Sequence, residues 1–412
     1  MPHPLRARLV LSVLLLLAGL TLHADDWPQF RGPTGQGHSA ERGLPLSWSE
    51  TQNVVWKVPV EGRGWSSPVV ANGRVWLTTA VDAPAATLRV LAFEVATGRE
   101  VVNTEVFRVR SGAALNPKNS RASPTPILDG GRVYVHFGAE GTAALATSGE
   151  VLWRARLPYD SPHGNGGSPA LYRDLLIFSG DGSDTAFVAA LDTGTGKVRW
   201  RTSRRAPFDQ AYTTPLVITT DGLDQLVSIG AYRATAYEPL TGKELWRVSY
   251  ADGFSNVPRP VFGHGLVYIT TGFQQPSLLA VRPDGSGDVT RTHVAWRVSR
   301  GVPFTPSPIL VGGELYMVSD LGVATCLDAQ TGAVLWTERL GGNYSASPVF
   351  ADGRLYFQSE DGLTTVLAPG RQFRVLARSE LGEATLASMA IANGSFYLRS
   401  ISHLYRIGTS GR

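Results

Sequence analysis

Cysteine is almost absent from this sequence, and its scarcity excludes several classes of protein. Cys326 is the single cysteine among the 412 residues, so an intramolecular disulfide and a disulfide-stapled scaffold are excluded. No cysteine lies near residue 24, where the apolar N-terminal segment ends, so we expect no lipid anchor at a processed N-terminus. Cys326 stands where another copy of the same repeated stretch has Ala190, and we therefore expect a small buried residue rather than a reactive thiol.

Charged residues are scarce too, at 17% of the chain, and the formal net charge is only +4. The basic residues are dispersed along the chain rather than gathered in one stripe, so we expect no nucleic-acid partner. Hydrophobic residues make up 43% of the chain. That fraction is enough for a large core and is not the composition of a disordered protein.

Long apolar runs are missing except at residues 9–22, which Arg6 and Arg8 precede. This run is shorter than the roughly 20 residues of a membrane span, and its basic flank is typical of an export signal. We therefore predict a signal peptide over residues 1–24, no stable membrane anchor, and a periplasmic or extracellular location. An uncleaved anchor is the alternative, because Leu22 is a poor residue for the cleavage site.

What the sequence does have is a repeated stretch. It reads ALDTGTGKVRW at residues 190–200 and returns as CLDAQTGAVLW at 326–336, with looser copies at 92–102, 143–153 and 236–246. Each copy belongs to a longer unit with a proline near its start, or Met389 in the last unit. The prolines are Pro68, Pro124, Pro169, Pro215, Pro260, Pro308 and Pro348. These positions define eight units.

The order of features within a unit predicts the fold. A short strand is followed by a turn such as ANGR at 71–74, an apolar strand, a strand with a small residue and an acid, and a strand with Trp. Glycine and asparagine supply the positive φ that such tight turns require. Four antiparallel strands at this period predict an all-β, eight-bladed β-propeller.

The spacing of Trp56 predicts how the ring closes. Trp56 precedes Pro68 by 12 residues, as Trp336 precedes Pro348. We therefore predict that residues 53–60 supply the missing fourth strand of the last blade, which removes the open edge of the ring. The predicted organisation is an irregular leader at 25–52, the propeller at 53–407 and a tail at 408–412.

The recurring tryptophans are predicted to be structural. One blade cannot bury both of its faces alone, so each must pack on its neighbours. A Trp on the outer strand would serve that packing, while the Thr-Gly pair lets the backbone turn closely beneath the ring. The predicted docking residues are Trp56, Trp153, Trp200, Trp246, Trp296 and Trp336.

Residues 190–200 resemble the docking motif Ala-x-Asp-x-x-Thr-Gly-x-x-x-Trp of quinoprotein-type propellers, and the leader resembles that of secreted bacterial PQQ-like repeat proteins. The resemblance covers roughly residues 53–407. The resemblance implies the propeller fold, and it is compatible with two different functions, one catalytic and one not. Quinone-dependent alcohol dehydrogenases of this fold hold pyrroloquinoline quinone (PQQ) and calcium in the funnel, whereas the outer-membrane assembly scaffold BamB has no catalysis. Function depends on sites rather than on the fold, so both remain open.

Loops before the first strand of each blade emerge on one face and should line the mouth of the channel. Arginines there could bind carboxylates and aromatic rings could stack on a ligand. The alternative is that polar residues only hydrogen-bond loop backbone and the arginines pair with neighbouring acids. The ligand-binding candidates are Trp65, Asn119, Arg121, His163, Asn165, Tyr212, Asn256, Arg259 and Tyr344, with Phe304 and Asn343 beside them.

Together these patterns predict an exported, non-catalytic propeller that acts as a binding or scaffolding module for a protein or a small polar ligand. No catalytic residue or metal ligand is predicted, because acid-rich stretches such as SGDGSD at 179–184 are typical of turns. A PQQ- and calcium-dependent oxidoreductase is the first alternative. A carbohydrate-binding propeller with an aromatic mouth is the second. We expect a monomer.

Overall fold

The computed structural model describes residues 26–82, 86–109, 115–251, 253–273 and 275–409, so the predicted signal peptide lies outside the described residues. Eight sheets, each built on four antiparallel strands, make up this part of the chain, which confirms the all-β, eight-bladed propeller. Apart from strands, the ranges given contain one short 3₁₀ helix at Gly138–Glu140. Within them, no helix has the length and apolar character to cross a membrane.

Strands are numbered in chain order, and β1 (Val54–Pro59) belongs to the last blade. Blade 1 contains β2 (Val69–Ala71), β3 (Arg74–Val81), β4 (Thr87–Glu94) and β5 (Glu100–Arg108). Blade 2 contains β6 (Ile127–Asp129), β7 (Arg132–His136), β8 (Thr142–Ala146) and β9 (Val151–Ala155). Blade 3 contains β10 (Ala170–Tyr172), β11 (Leu175–Asp181), β12 (Ala186–Asp192) and β13 (Val198–Ser203). Blade 4 contains β14 (Leu216–Thr220), β15 (Leu223–Gly230), β16 (Arg233–Tyr237) and β17 (Glu244–Ser249).

Blades 5 to 8 follow the same order, with the first strand at the channel and the fourth at the rim. Blade 5 contains β18 (Val261–Gly263), β19 (Leu266–Thr270), β20 (Leu278–Val281) and β22 (Val294–Val298), whereas β21 (Gly287–Asp288) joins blade 4 as a fifth strand. Blade 6 contains β23 (Ile309–Val311), β24 (Glu314–Val318), β25 (Val323–Asp328) and β26 (Val334–Arg339). Blade 7 contains β27 (Val349–Ala351), β28 (Arg354–Gln358), β29 (Leu363–Leu367) and β30 (Val375–Glu380). Blade 8 contains β31 (Ala390–Ala392), β32 (Ser395–Arg399), β33 (His403–Gly408) and β1.

The ring closes through β1. This strand pairs antiparallel with β33, with Trp56 opposite Arg406 and Val58 opposite Leu404. The prediction that residues 53–60 complete the last blade is confirmed. Because the N-terminal and C-terminal segments share one sheet, blade 8 has the same four strands as a blade built from one continuous segment.

A proline directly precedes the first strand of most blades, as Pro68 precedes β2 and Pro169 precedes β10. In the second unit this residue is Pro126, which precedes β6, and the prediction of Pro124 is wrong by two residues. The stretch SPTP offers two prolines, and the spacing alone does not distinguish them. Proline suits this position because it lies just before the strand begins, where its missing N–H group leaves no hydrogen bond of the sheet unmade.

Five of the six predicted docking tryptophans bond to the next blade. Each indole Nε1 donates to a backbone carbonyl at 2.9–3.2 Å, namely Trp56 to Val95, Trp153 to Thr193, Trp200 to Pro239, Trp296 to Ala329 and Trp336 to Gly370. The glycine of the Thr-Gly pair lies directly beneath the ring, since a Cβ on Gly196 would be 2.5 Å from Trp153. The tryptophan therefore packs in space that only glycine leaves open.

Trp246 departs from this pattern. Its Nε1 donates to Gln225 Oε1 of its own blade at 2.7 Å, and Gln225 Nε2 donates to the carbonyl of Pro283 in blade 5 at 3.0 Å. The inserted strand β21 pairs with β17 at Trp246 itself. The indole hydrogen bond therefore reaches blade 5 through a glutamine, while the ring itself lies in a buried cluster formed by residues of blades 4 and 5.

The seventh unit has no docking tryptophan, and the leader supplies one. Trp48 is buried between blades 7 and 8, where its backbone N–H donates to Ser379 Oγ at 3.0 Å. Its ring lies 6.4 Å from the ring of Tyr356 in β28 and 5.1 Å from the ring of Phe396 in β32. The leader thus fills an interface that the repeat itself leaves without an indole.

Before Trp48, the leader crosses the inside of the channel. Trp27 exchanges two backbone hydrogen bonds with Val70 of β2, at 2.7 and 2.9 Å. Residues 37–39 form two backbone hydrogen bonds with Phe350 of β27 in a parallel bridge, at 2.8 and 2.9 Å. Because β2 and β27 are the innermost strands of blades 1 and 7, the leader pairs with the channel wall and closes the channel below the mouth.

Candidate ligand site at the mouth of the channel

A ring of hydroxyl side chains surrounds the throat of the channel, two residues before the first strand of each blade. A backbone N–H of one blade donates to the hydroxyl of the next, as Ser67 N does to Thr125 Oγ1 at 3.0 Å and Thr125 N does to Ser168 Oγ at 2.8 Å. Six such bonds connect the described blades. Blade 5 carries Arg259 in this position. The hydroxyl residues are Ser67, Thr125, Ser168, Thr214, Ser307, Ser347 and Ser388.

Above the ring is a cavity of about 420 Å³. All seven hydroxyl residues line it, and Phe30 of the leader contributes to its wall from below. A hydroxyl that accepts an N–H from the neighbouring blade still has its own O–H group, which can donate into the cavity. The volume lies within the range of about 300–1,000 Å³ that is typical of small-molecule and cofactor sites.

Blades 4 to 6 present an aromatic wall, defined here as Phe254, Phe273 and Phe304. The ring centroids of Phe254 and Phe273 are 5.7 Å apart, and those of Phe273 and Phe304 are 6.4 Å apart. Phe273 is 53% exposed at the rim of the cavity. Apolar rings that remain exposed beside a cavity are typical of a recognition surface.

The opposite side of the mouth is bridged by an ion pair. Lys118 lies in the loop between β5 and β6, and its Nζ is 2.8 Å from Oε1 of Glu360 in blade 7. Glu360 also accepts a hydrogen bond from Ser345 Oγ at 2.6 Å. The positive charge of Lys118 is therefore matched on the protein itself, and the aromatic wall is the less polar side of the entrance.

The cavity has few acidic groups. Of the described residues that line it, Asp320 is the one carboxylate, and its Oδ2 already accepts from the backbone N–H groups of Phe304 and Thr305, at 2.6 and 3.3 Å. Asp181 lies elsewhere, buried 2.9 Å from Arg204. Burial raises the pKa of Asp181 to about 6, although Arg204 acts in the opposite direction. In the described part of the chain, no cluster of three or more His, Cys, Asp or Glu side chains could hold a metal ion.

Four of the predicted ligand-binding residues line this cavity, namely Trp65, Asn119, His163 and Tyr212, together with Phe304. Asn119 Nδ2 donates to the carbonyl of His163 at 2.7 Å, so this amide joins two mouth loops. The Tyr212 hydroxyl donates to Gln210 Oε1 at 3.1 Å, and burial raises the pKa of Tyr212. The Nε1 of Trp65 is buried and has no hydrogen-bond partner in the part of the chain that the structure describes.

The other five predicted residues lie outside the lining, and so does Asn343. Asn165 bonds to the backbone of Gly167, and Asn256 is fully buried with its amide on the carbonyl of Gly230. Arg259 Nη1 donates to the carbonyl of Phe30 in the leader, at 2.7 Å. The interpretation that mouth residues bond to loop backbone therefore describes the asparagines better than ligand binding does. The residues concerned are Arg121, Asn165, Asn256, Arg259 and Tyr344.

Sequence reasoning missed three aromatic residues of the cavity. Phe254 lies one residue before the mouth stretch SNVPRP, and Phe273 lies in the loop between β19 and β20, which emerges on the same face. Both had a usable signal, namely an aromatic residue beside glycine in a mouth loop. Phe30 had none, because nothing in the leader's sequence shows that it enters the channel.

The family profile described as "Outer membrane protein assembly factor BamB" matches residues 39–175 and 287–399. The quinone-type alcohol dehydrogenase subunit of Gluconobacter oxydans is 25% identical over 65% of this chain and 35% of its own. BamB of Burkholderia pseudomallei is 27% identical over 53% of this chain and 56% of its own. The chain thus spans about a third to just over half of the length of these curated relatives.

The solved structure of the quinohemoprotein alcohol dehydrogenase of Comamonas testosteroni is similar in fold. The TM-score is 0.69 at 11% identity, over 94% of this chain and 81% of that one. At this identity the likeness shows the fold alone. Because the family profile matches more than half of the chain, this protein belongs to the family described as outer membrane protein assembly factor BamB.

Proposed function

We propose that this protein is an exported, non-catalytic propeller that binds a partner protein at the mouth of its channel. The observation that carries the proposal is the mouth cavity, with the exposed ring of Phe273 at its rim and hydroxyl donors at its throat. An apolar side chain from a partner loop suits the aromatic wall, and the backbone carbonyls of that loop suit the hydroxyls. The family is described as an assembly factor, and this description also favours a protein partner.

The quinone and calcium of the related dehydrogenases do not fit the residues of this cavity. Calcium takes about six to eight oxygen ligands, with carboxylates prominent among them. In the described part of the lining Asp320 is the one acidic residue, and two N–H groups already occupy one of its oxygens. An anionic quinone would also need cationic partners, whereas Lys118 is paired with Glu360. Dehydrogenase activity with bound quinone would therefore contradict the proposed function.

Site-specific photocross-linking in the cells that make the protein tests the proposal. A benzophenone amino acid at Phe273 should give a discrete adduct with one envelope protein, identified by mass spectrometry. The control position is Leu223, which is 67% exposed beside the turn between β14 and β15, at the opposite end of its blade. Phe304→Ala should weaken binding of the identified partner at least tenfold, because a buried aromatic anchor contributes about 2 kcal/mol or more.

Two results would contradict the proposal. One is equal labelling from Phe273 and Leu223, or none from either. The other is retention of added PQQ and calcium, seen as quenching of Trp65 fluorescence that is lost in Trp65→Phe, together with dye reduction by simple alcohols. That second result would establish the dehydrogenase instead.

A further inference from the structure

Two buried arginines with no acidic partner lie in the channel, beneath the mouth cavity. Arg31 belongs to the leader and Arg259 precedes β18 of blade 5, and each is only 2% exposed. Among the ion pairs of the described residues, neither guanidinium is joined to a carboxylate. Buried charges are normally paired, because removing an ion from water is costly.

Both side chains are only partly hydrogen-bonded. Arg31 Nη2 donates to the carbonyls of Gln36 and Pro308, both at 2.8 Å. Arg259 donates from Nη1 to the carbonyl of Phe30 at 2.7 Å and from Nη2 to that of Pro215 at 3.0 Å. Among the described residues, three buried nitrogens have no hydrogen-bond partner, namely Arg31 Nε, Arg31 Nη1 and Arg259 Nε. Buried polar groups are nearly always hydrogen-bonded, so these three N–H-bearing atoms point to a missing acceptor.

Arg31 and Arg259 contact the same short stretch of the leader, with Arg259 against Gly35 and Arg31 Nη2 against Gly37. Arg259 bonds to the carbonyl of Phe30, which directly precedes Arg31. Burial, together with the charge of Arg259, lowers the pKa of Arg31 to about 9. Two like charges in one enclosed place repel each other, and a single negative charge between them would relieve both the repulsion and the lack of acceptors.

The leader wraps tightly around these groups. A Cβ on Gly35 would lie 2.6 Å from Arg259 Cζ, and a Cβ on Gly37 would lie 2.8 Å from Arg31 Nη2. Space for a bulky organic anion is therefore lacking on the leader side. A monatomic anion, which accepts hydrogen bonds from any direction, suits such a site best.

We propose that a halide-sized inorganic anion, chloride under ordinary conditions, binds between Arg31 and Arg259. The anion accepts from the unpaired guanidinium N–H groups and joins the leader to blade 5. Because Arg31 also bonds to Pro308 of blade 6, the bound anion fixes the leader against two blades. Phe30, between these contacts, is then held in place beneath the mouth cavity.

The test measures the melting temperature of the whole protein as chloride replaces gluconate at constant ionic strength. Ligand binding to the folded state should raise Tm by about 3 °C when chloride reaches a hundred times its dissociation constant. A crystal soaked in bromide should show an anomalous peak between the two guanidinium groups. A Tm that does not depend on chloride, together with no bromide peak, would overturn the proposal. Stabilisation by sulfate or phosphate but not by chloride would overturn the halide assignment.

Matched variants separate the site from a general salt effect. Arg31→Met and Arg259→Met should each lose the chloride-dependent rise in Tm. Arg399 is the control, because it is also buried and forms no ion pair with a carboxylate among the described residues, and its Nη1 donates to the Thr78 carbonyl and Ser66 Oγ. Arg399→Met should lower Tm but keep the chloride-dependent rise. If the first two variants do not fold, the bromide peak in the unaltered protein decides the question.

Discussion

Replacing Trp48 by alanine is expected to lower the free energy of unfolding by about 3–5 kcal/mol. Trp48 comes from the leader and is 3% exposed, between the rings of Tyr356 and Phe396. Blade 7 has no docking tryptophan of its own, so truncation leaves a cavity at an interface with no other indole to fill it. Urea unfolding followed by circular dichroism measures the loss.

Trp65→Ala is the matched control for this substitution. Trp65 is half-buried at the mouth cavity rather than between two sheets, so we expect a loss of about 1 kcal/mol or less. Equal losses for the two variants would show that Trp48 does not wedge blades 7 and 8 together.

Gly196→Ala is expected to lower the free energy of unfolding by about 2–5 kcal/mol, through two separate costs. The residue has φ of +71°, where an L side chain costs about 1–2 kcal/mol. The new methyl group would also lie 2.5 Å from the ring of Trp153, and overpacking of this kind costs about 1–3 kcal/mol. Chemical denaturation measures the sum.

Gly73→Ala isolates the backbone cost. Gly73 has φ of +72°, and a Cβ there would have no atom within 4 Å. The difference between the two alanine variants is therefore the packing cost alone, which we expect to be about 1–3 kcal/mol. Losses that agree within about 0.5 kcal/mol would contradict close docking of Trp153 on the Thr-Gly turn.

The ring could be predicted from the sequence because its signals are local and repeated. One Trp-to-Pro spacing, shared by Trp56 and Trp336, placed the closing strand in the last blade. Two details were wrong or incomplete for local reasons. The stretch SPTP contains a second proline, Pro126, and the insertion that forms β21 changes the surroundings of Trp246.

The mouth cavity could be predicted only in part. A position in a mouth loop shows that a residue is near the channel, but not the direction of its side chain. Arg259 stands in the slot that holds a hydroxyl in seven blades, and its longer side chain extends to the leader instead of the mouth. Phe30 could not be foreseen, because the leader carries no repeat from which its path can be inferred.

Amide hydrogen exchange of the leader tests most directly the claim that the channel is closed below the mouth cavity. The amides of Trp27 and Ser39 donate to the carbonyls of Val70 and Phe350 on the innermost strands. We predict that both amides are protected at least a thousandfold relative to an unstructured peptide, because their exchange requires the leader to leave the channel. Exchange of both within seconds would contradict the claim, since the leader would then lie outside the channel and the cavity would have no floor.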